Sequence, residues 1–377
     1  MALSTLWQRI FKPRLGLGDL AFAISANFIM IELQPIIRIF FLTTLAFIVA
    51  IAFTPFWAAV LYKYKLGKKI RSMEEAPVFA KFHEKKSGTP TMGGVIIWVS
   101  VGVFAVLFFV IRQLVPSGFW HELNFLTRQQ TWLPLGALVA SALVGFVDDY
   151  FNVKGWGPKG GGLQVRHKIL IYTAIAIVGA FWFYSKLDFS LIHVPFLGNF
   201  EIGWWYIPLF IFIIVSTAFS VNEIDGLDGL SGGTLLAAFS AFGAIAFLQQ
   251  RYELATLCGV IVGALLAFLW FNIPPARFFM GDTGAMSLGV TLGIVAMLTN
   301  SALLLPIIGL LFVIESLSVI LQVASKKLWK RKLFLSSPIH HHLEAKGWPE
   351  SKIVMRFWVI SAVTGVIGVV VFLVDKT

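Results

Sequence analysis

Asp148 and Asp149, Asp225 and Asp228, and Asp282 stand at the ends of strongly apolar segments. The chain is otherwise poor in charge: 13% of its 377 residues are Asp, Glu, Lys or Arg. A charge at the bilayer centre costs about 2.5–3.5 kcal/mol on insertion scales, so acids kept in membrane segments are functional candidates. Here they recur beside glycine-rich turns. Asp148 and Asp149 set two like charges side by side where a helix is expected to end, so they repel each other and the helix dipole. A divalent cation would offset both. Mg²⁺ is commonly held by one or two carboxylates together with waters and substrate phosphates.

The run Asn222-Glu223-Ile224-Asp225-Gly226-Leu227-Asp228-Gly229-Leu230-Ser231-Gly232-Gly233 alternates acids and glycines where a helix is expected to begin. Glycine lets backbone approach a ligand closely, and helix N-terminal N–H groups can bind one. The acids argue against bare phosphate unless a cation or a sugar hydroxyl intervenes. A second run, from Asn272 to Gly284, breaks a helix with Pro274 and Pro275 and then presents Asp282 in a Gly-Asp-Thr-Gly turn. Phe278 and Phe279 precede it, as core aromatics or as a face on which a nucleobase stacks. A third run, Pro338-Ile339-His340-His341-His342-Leu343-Glu344, has no cysteine nearby to complete a structural zinc site. Its histidines diverge on a helix, and hydrogen bonding or charge pairing with phosphate is the favoured role. The run Lys85-Lys86-Ser87-Gly88-Thr89-Pro90-Thr91-Met92-Gly93-Gly94 combines cations, hydroxyls and glycines.

These groups describe a Mg²⁺ site with cationic and helix-terminal phosphate partners at a membrane surface. Such a site suits transfer from a soluble diphosphate donor to a lipid-borne acceptor, a chemistry that depends mostly on positioning and charge neutralisation. An ion- or proton-coupled transporter also keeps acids in membrane helices, but near the midplane and often in repeated halves. No internal repeat is visible in this sequence.

The elements that must hold these residues follow from composition. Hydrophobic residues make up 58% of the chain and mean hydropathy is +0.83, beyond the range of a soluble domain. About 20 apolar residues cross the hydrocarbon core as a helix. Ten segments qualify: 36–62, 92–111, 132–147, 169–184, 204–219, 230–248, 254–273, 285–304, 306–323 and 354–374. Their lengths and their lack of strict alternation exclude a barrel. The fold class is therefore all-α, a polytopic membrane protein of ten helices over residues 36–377. Residues 1–35 form a separate N-terminal extension, read as peripheral or interfacial. Twenty-one basic residues follow odd-numbered segments and four follow even-numbered ones. The odd connections are therefore cytoplasmic and both ends of the ten-helix core face outward. This asymmetry accounts for most of the net charge of +11 without a nucleic-acid partner. The single cysteine, Cys258, lies inside an apolar segment and reads as an inert buried thiol.

From about Ile36 to Val374 the chain resembles the phospho-N-acetylmuramoyl-pentapeptide transferase family, within the polyprenyl-phosphate N-acetylhexosamine-1-phosphate transferase superfamily. The resemblance rests on Gly88-Thr89-Pro90-Thr91-Met92-Gly93-Gly94, Asp148-Asp149-Tyr150, Asp225-Gly226-Leu227-Asp228-Gly229-Leu230, Phe279-Met280-Gly281-Asp282-Thr283-Gly284, and Pro338 to His342 followed by Lys346-Gly347-Trp348. The acid motifs are superfamily-wide; the histidine triplet and the Thr-Pro-Thr-Met-Gly-Gly turn point to the muramoyl-pentapeptide branch. What the resemblance implies is transfer of phospho-MurNAc-pentapeptide from UDP-MurNAc-pentapeptide to undecaprenyl phosphate, giving lipid I and UMP, with Mg²⁺ as cofactor. By motif match, Asp282 is the implied main Mg²⁺ ligand, and Asp148 and Asp149 help hold metal and substrate. Asn222, Asp225 and Asp228 line the uridine and sugar region. Lys86 and Phe279 contact the uracil, and Thr91, Lys168, Asn272, His340, His341 and His342 complete the pocket. The implied setting is the bacterial plasma membrane with a cytoplasmic active site, in a lipid bilayer, with a homodimer open. Asn152, Phe219, Glu223 and Ile224 depart from the family pattern. The nearest rival is a sister transferase that uses UDP-GlcNAc.

Overall fold

A computed structural model describes residues 17–67, 86, 88–127, 129–157 and 161–376. Residues 1–16 of the N-terminal extension, and the basic residues Lys68, Lys69, Arg71, Lys81, Lys85, Arg128 and Lys159, lie outside the described residues. In chain order the helices are α1 (Leu17–Lys63), α2 (Val95–Leu114), the single turn α3 (Phe119–Glu122), α4 (Gln129–Lys154), α5 (Val165–Lys186), α6 (Tyr206–Ile224), α7 (Leu230–Leu248), α8 (Tyr252–Asn272), α9 (Gly281–Leu298), the single turn α10 (Leu305–Ile308), α11 (Leu310–Leu328), α12 (Ile339–Ala345) and α13 (Glu350–Asp375). Among the described residues nine helices are long and apolar enough to cross a membrane. The ninth segment expected from sequence is broken: Ala302–Ile308 and Leu310–Leu328 meet at 82°, and counting them as one span gives ten.

The fold is built around α9. Of its span 94% is buried, against 17% of the span in α1. A helix enclosed on all sides must let its neighbours come close, and small residues permit that. α9 reads Gly281-Asp282-Thr283-Gly284-Ala285-Met286-Ser287 and continues with Gly289, Thr291 and Gly293. Gly289 lies against Ala218 and Val221 of α6, and Gly293 against Ile214. The buried hydroxyls of Ser287 and Thr291 donate to the carbonyls of Thr283 and Ser287, each at 2.7 Å, so they cost no unpaired polar group. α4 and α6 pack along α9, while α8 is flanked by α1 and α7, and α13 covers α7.

The connections sort to two ends. At one end Thr91 meets Asp149, Lys168 meets Asp148 and Asp282, and Lys86 meets Asp228. At the other, the Gln249 side chain donates to the Thr299 carbonyl at 2.7 Å and the His193 N–H to the Asn300 side chain at 3.1 Å. That far end also carries a short antiparallel hairpin, β1 (Leu191–Val194) with β2 (Gly198–Glu201), which the all-helical reading did not anticipate. Asp375 at the end of α13 clasps it through the His193 ring and the Phe196 N–H.

Two boundaries move in ways that matter chemically. α4 runs to Lys154, so Asp148 and Asp149 lie inside a helix, not at its C-terminus, and the dipole repulsion expected there does not apply. α9 begins at Gly281 instead of 285, which places Asp282 in a helix's first turn, where the dipole favours an anion.

The turn before α2 is seated on the turn before α9. Gly93 N–H donates to the Phe279 carbonyl at 2.8 Å, Gly94 N–H to the Met280 carbonyl at 2.9 Å, and Phe279 N–H to the Pro90 carbonyl at 2.8 Å. A Cβ on Gly94 would stand 2.5 Å from the Gly284 nitrogen, so the glycine pair is what permits this contact. Gly94→Val should therefore cost at least about 1–3 kcal/mol of stability by overpacking, read as a lower thermal midpoint in detergent. Gly102→Val on the same helix, where a Cβ meets nothing within 4 Å, should leave the midpoint near that of the unmodified chain.

Candidate functional site

Three carboxylates from two helices form the centre. Asp148 and Asp149 are each 1% exposed and Asp282 is 9% exposed. The Lys168 ammonium, in the first turn of α5, lies 3.0 Å from Asp148 Oδ2 and 2.7 Å from Asp282 Oδ2. Asp148 Oδ1 accepts the Leu163 N–H at 2.5 Å. The other oxygen of Asp282 accepts from the Asn222 side-chain amide at the end of α6. Asp149 is held separately: Oδ2 accepts the Thr283 N–H at 3.0 Å, and Oδ1 accepts the Thr91 hydroxyl at 3.3 Å. One lysine, one amide and one helix N-terminus thus gather acids 134 residues apart.

A second cluster adjoins the turn between α6 and α7. Lys86 Nζ lies 2.6 Å from Asp228 Oδ1 and 2.5 Å from Glu350 Oε1. Asp228 Oδ2 accepts the Ala276 N–H at 3.0 Å, and Glu350 accepts the Asp228 N–H at 2.7 Å. Asp225 accepts the Ser231 hydroxyl at 2.6 Å. Asn272 spends its side chain on two loops, accepting from Gly229 N–H at 2.9 Å and donating to the Phe278 carbonyl at 2.8 Å. Phe278 is fully buried against Phe268 and Phe271 and belongs to the core. Phe279 is half-buried, which leaves it as the aromatic with a face to offer.

The three histidines have separate environments. His340 is fully buried; its Nδ1 lies 3.0 Å from Glu315 Oε2, and its Nε2 has no hydrogen-bond partner among the described residues. Burial would push the His340 imidazole down, but the neighbouring Glu315, with Glu344 and Glu223 beyond it, outweighs burial and holds it above the ordinary histidine value. His341 Nδ1 is 2.6 Å from Glu344 Oε2. His342 is half-buried, accepts the Leu335 N–H at 3.2 Å, and is lowered by desolvation and by Lys346.

The donor set can be weighed against a metal. Among the described residues no group of three or more His, Cys, Asp or Glu side chains stands ready to hold one unaided. Mg²⁺ does not require such a cage, since it keeps waters and shares substrate phosphates. The Lys168 ammonium already marks the place between Asp148 and Asp282 where positive charge is stable. Asp282 and Asp148, with Asp149 alongside, therefore fit a cation that arrives with a diphosphate.

Sequence reasoning missed several partners. Glu315 is a lone acid within the ninth apolar segment, and that rarity was the available signal. Glu350 opens the last helix and gave no local sign of contact with Lys86. Tyr172 is 1% exposed, one turn beyond Lys168, and its hydroxyl has no hydrogen-bond partner among the described residues. Trp98 donates to the Thr283 hydroxyl at 3.1 Å and Trp358 to the Gly229 carbonyl at 2.9 Å, so two aromatic donors brace the site turns from behind.

The family model described as glycosyl transferase family 4 matches residues 131–300, which include Asp148, Asp149, Asp225, Asp228 and Asp282. The phospho-N-acetylmuramoyl-pentapeptide-transferase signature 1 matches residues 86–97. A phospho-N-acetylmuramoyl-pentapeptide-transferase of Chloroflexus aggregans is 38% identical over 349 residues, covering 89% of this chain and 90% of its own. Proteins of the same name from Geobacillus thermodenitrificans and Bacillus anthracis are 38% and 39% identical over 327 residues, covering 86% of this chain and 94% of their own.

The central knot makes a stability prediction. Removing one partner of a buried ion pair leaves an uncompensated charge, at about 3–5 kcal/mol. Lys168→Met should lower the thermal midpoint accordingly, and Lys168→Arg should recover most of the loss. Equal midpoints for Lys168→Met and the unmodified chain would show that the ammonium does not hold the acids together.

Proposed function

The chain belongs to the phospho-N-acetylmuramoyl-pentapeptide-transferase family, and from that membership we propose that it transfers phospho-MurNAc-pentapeptide from UDP-MurNAc-pentapeptide to undecaprenyl phosphate in peptidoglycan synthesis. A phosphate oxygen of the lipid ends bonded to the sugar-linked phosphorus, the diphosphate bond to the uridine side breaks, and UMP leaves. The observation that carries the reading is the knot of Asp148, Asp149, Asp282, Lys168 and Asn222 at one end of the spans. It lies where a water-soluble nucleotide donor and a membrane-bound acceptor meet.

Transfer of this kind depends on positioning and charge neutralisation. Asp282, with Asp148 and Asp149, would hold Mg²⁺, and the ion would supply charge neutralisation on the diphosphate. Lys168 and Asn222 fix the Asp282 carboxylate in one orientation, and the Thr283 N–H does the same for Asp149. The acceptor needs little help from an enzyme base, because the second pKa of a phosphate monoester is about 6. The turn of Asp225 and Asp228, with Lys86 and the half-buried Phe279, takes the uridine and sugar. The acid-bearing end faces the cytoplasm of the bacterial plasma membrane, a reading supported by the excess of basic residues in the connections gathered there. The first span does not stand apart from what precedes it: residues 17–35 run into it as one helix, α1.

The test is UMP release by detergent-purified protein given UDP-MurNAc-pentapeptide and undecaprenyl phosphate, with Mg²⁺ or with EDTA, and UDP-GlcNAc run as the competing donor. Mg²⁺-dependent release with the muramoyl donor alone is expected. Release only with UDP-GlcNAc would assign the chain to the sister reaction. Asp282→Ala should abolish release while the protein still folds and keeps its elution profile, because Lys168 retains Asp148 as its partner and no core volume is lost. Near-normal turnover in that variant would overturn the metal assignment.

A further inference from the structure

Glu315 is a fully buried acid in the sixth position of α11, inside the bent span. A charge so placed is retained at a cost and calls for a partner and a reason. Its partner is His340, also fully buried, at 3.0 Å through Nδ1. The opposite edge of that ring faces the backbone of Gly226, between Asp225 and Asp228. A Cβ on Gly226 would lie 2.9 Å from His340 Cε1 and closer still to Nε2. The ring therefore occupies the space that any other residue at 226 would need. The chain of contacts runs from a membrane helix, through one imidazole, to the turn that carries two of the site aspartates. α11 is itself pinned to α6, the helix leading into that turn, by the Ser316 and Ser220 hydroxyls at 2.6 Å.

We propose that Glu315 is a positioning residue for the transfer: it fixes the His340 ring, and the ring in turn sets the backbone of the Asp225–Asp228 turn that receives the nucleotide-sugar donor. The proposal rests on the reading of the chain as a transferase. Orientation of an imidazole by a carboxylate on Nδ1 is a recurrent device, because it selects which ring nitrogen faces the working side. Here that nitrogen is Nε2, which has no hydrogen-bond partner among the described residues. That nitrogen is packed against Gly226, so the direction of the ring and the path of the turn are set together. The charged groups around the ring are Glu315 from α11, Glu344 from its own helix and Glu223 from α6, with the His341 ring beside it.

A double-mutant cycle tests this. UMP release is measured for Glu315→Gln, His340→Ala and the double variant, with whichever UDP-sugar donor the unmodified enzyme uses. A different donor identity would then overturn the muramoyl-pentapeptide assignment and leave the cycle intact. Glu315→Gln keeps an acceptor for Nδ1 but removes the charge. It should lose at least tenfold in kcat/KM for the donor, with KM for the lipid acceptor unchanged. Residues that act as one unit are non-additive, so the double variant should fall within twofold of His340→Ala alone. Gly226→Ala, which drives a methyl into the ring, should reproduce the donor-side loss. A pH profile separates positioning from plain structural support. Glu315 is the main group raising His340, so its loss lets the ring deprotonate sooner, and the basic limb of kcat/KM should move to lower pH. Should Glu315→Gln fail to fold, Glu315→Asp, which keeps the charge at shorter reach, is put through the same cycle. Wild-type kcat/KM in the folded Glu315 variant, or losses that multiply in the double variant, would overturn the proposal.

Discussion

The working end of this protein depends on one partly buried cation. Asp148 and Asp282 come from different helices, and in a low-dielectric setting two carboxylates that close would push those helices apart. Lys168 lies between them, 16% exposed, with Nζ at 3.0 and 2.7 Å. Its position in the first turn of α5 ties a third helix to the pair. The start of α5 and the start of α9 are thereby fixed against α4, and the remaining loops are hung from that frame. The same arrangement is suited to chemistry on a diphosphate, because a site that stabilises an ammonium among carboxylate oxygens is already tuned to positive charge.

The second constraint is proximity of backbones. Site turns before α2 and α9 exchange three main-chain hydrogen bonds, which requires glycine at 94 and 284. Gly226 serves a different purpose, leaving room for the His340 ring. In each case the missing side chain is what allows a polar group from elsewhere in the chain to approach. α9 extends the same logic into the membrane, where small residues and back-bonded hydroxyls let it be enclosed almost completely.

Polar groups away from the acids are consumed in building these turns. Asn272 joins two loops, Trp98 and Trp358 brace others, and Glu350 shares Lys86 with Asp228. The far end is organised differently, by a small hairpin clasped to the end of α13 through Asp375. Its eight strand residues are too few and too mixed in polarity to stand out beside apolar runs twice their length.

The sequence by itself determined the class, the number of apolar segments and the identity of the acids, because membrane spans and charges within them are set by local composition. It singled out Asp148, Asp149, Asp225, Asp228 and Asp282, which the fold divides between two neighbouring clusters, and the family resemblance pointed to Lys168, Asn222 and the histidine triplet. It misplaced the ends of α4 and the start of α9, since hydropathy falls before a helix stops and says nothing of how many further turns neighbours will support. Only the tertiary structure decided that Phe278 is buried while Phe279 is half-buried, that Asn272 is spent on loops, and that Glu315 pairs with His340 and Glu350 with Lys86. Those assignments depend on contacts between residues more than a hundred positions apart in some cases and on the direction of each side chain. No local pattern encodes either quantity; both are fixed only when the helices pack.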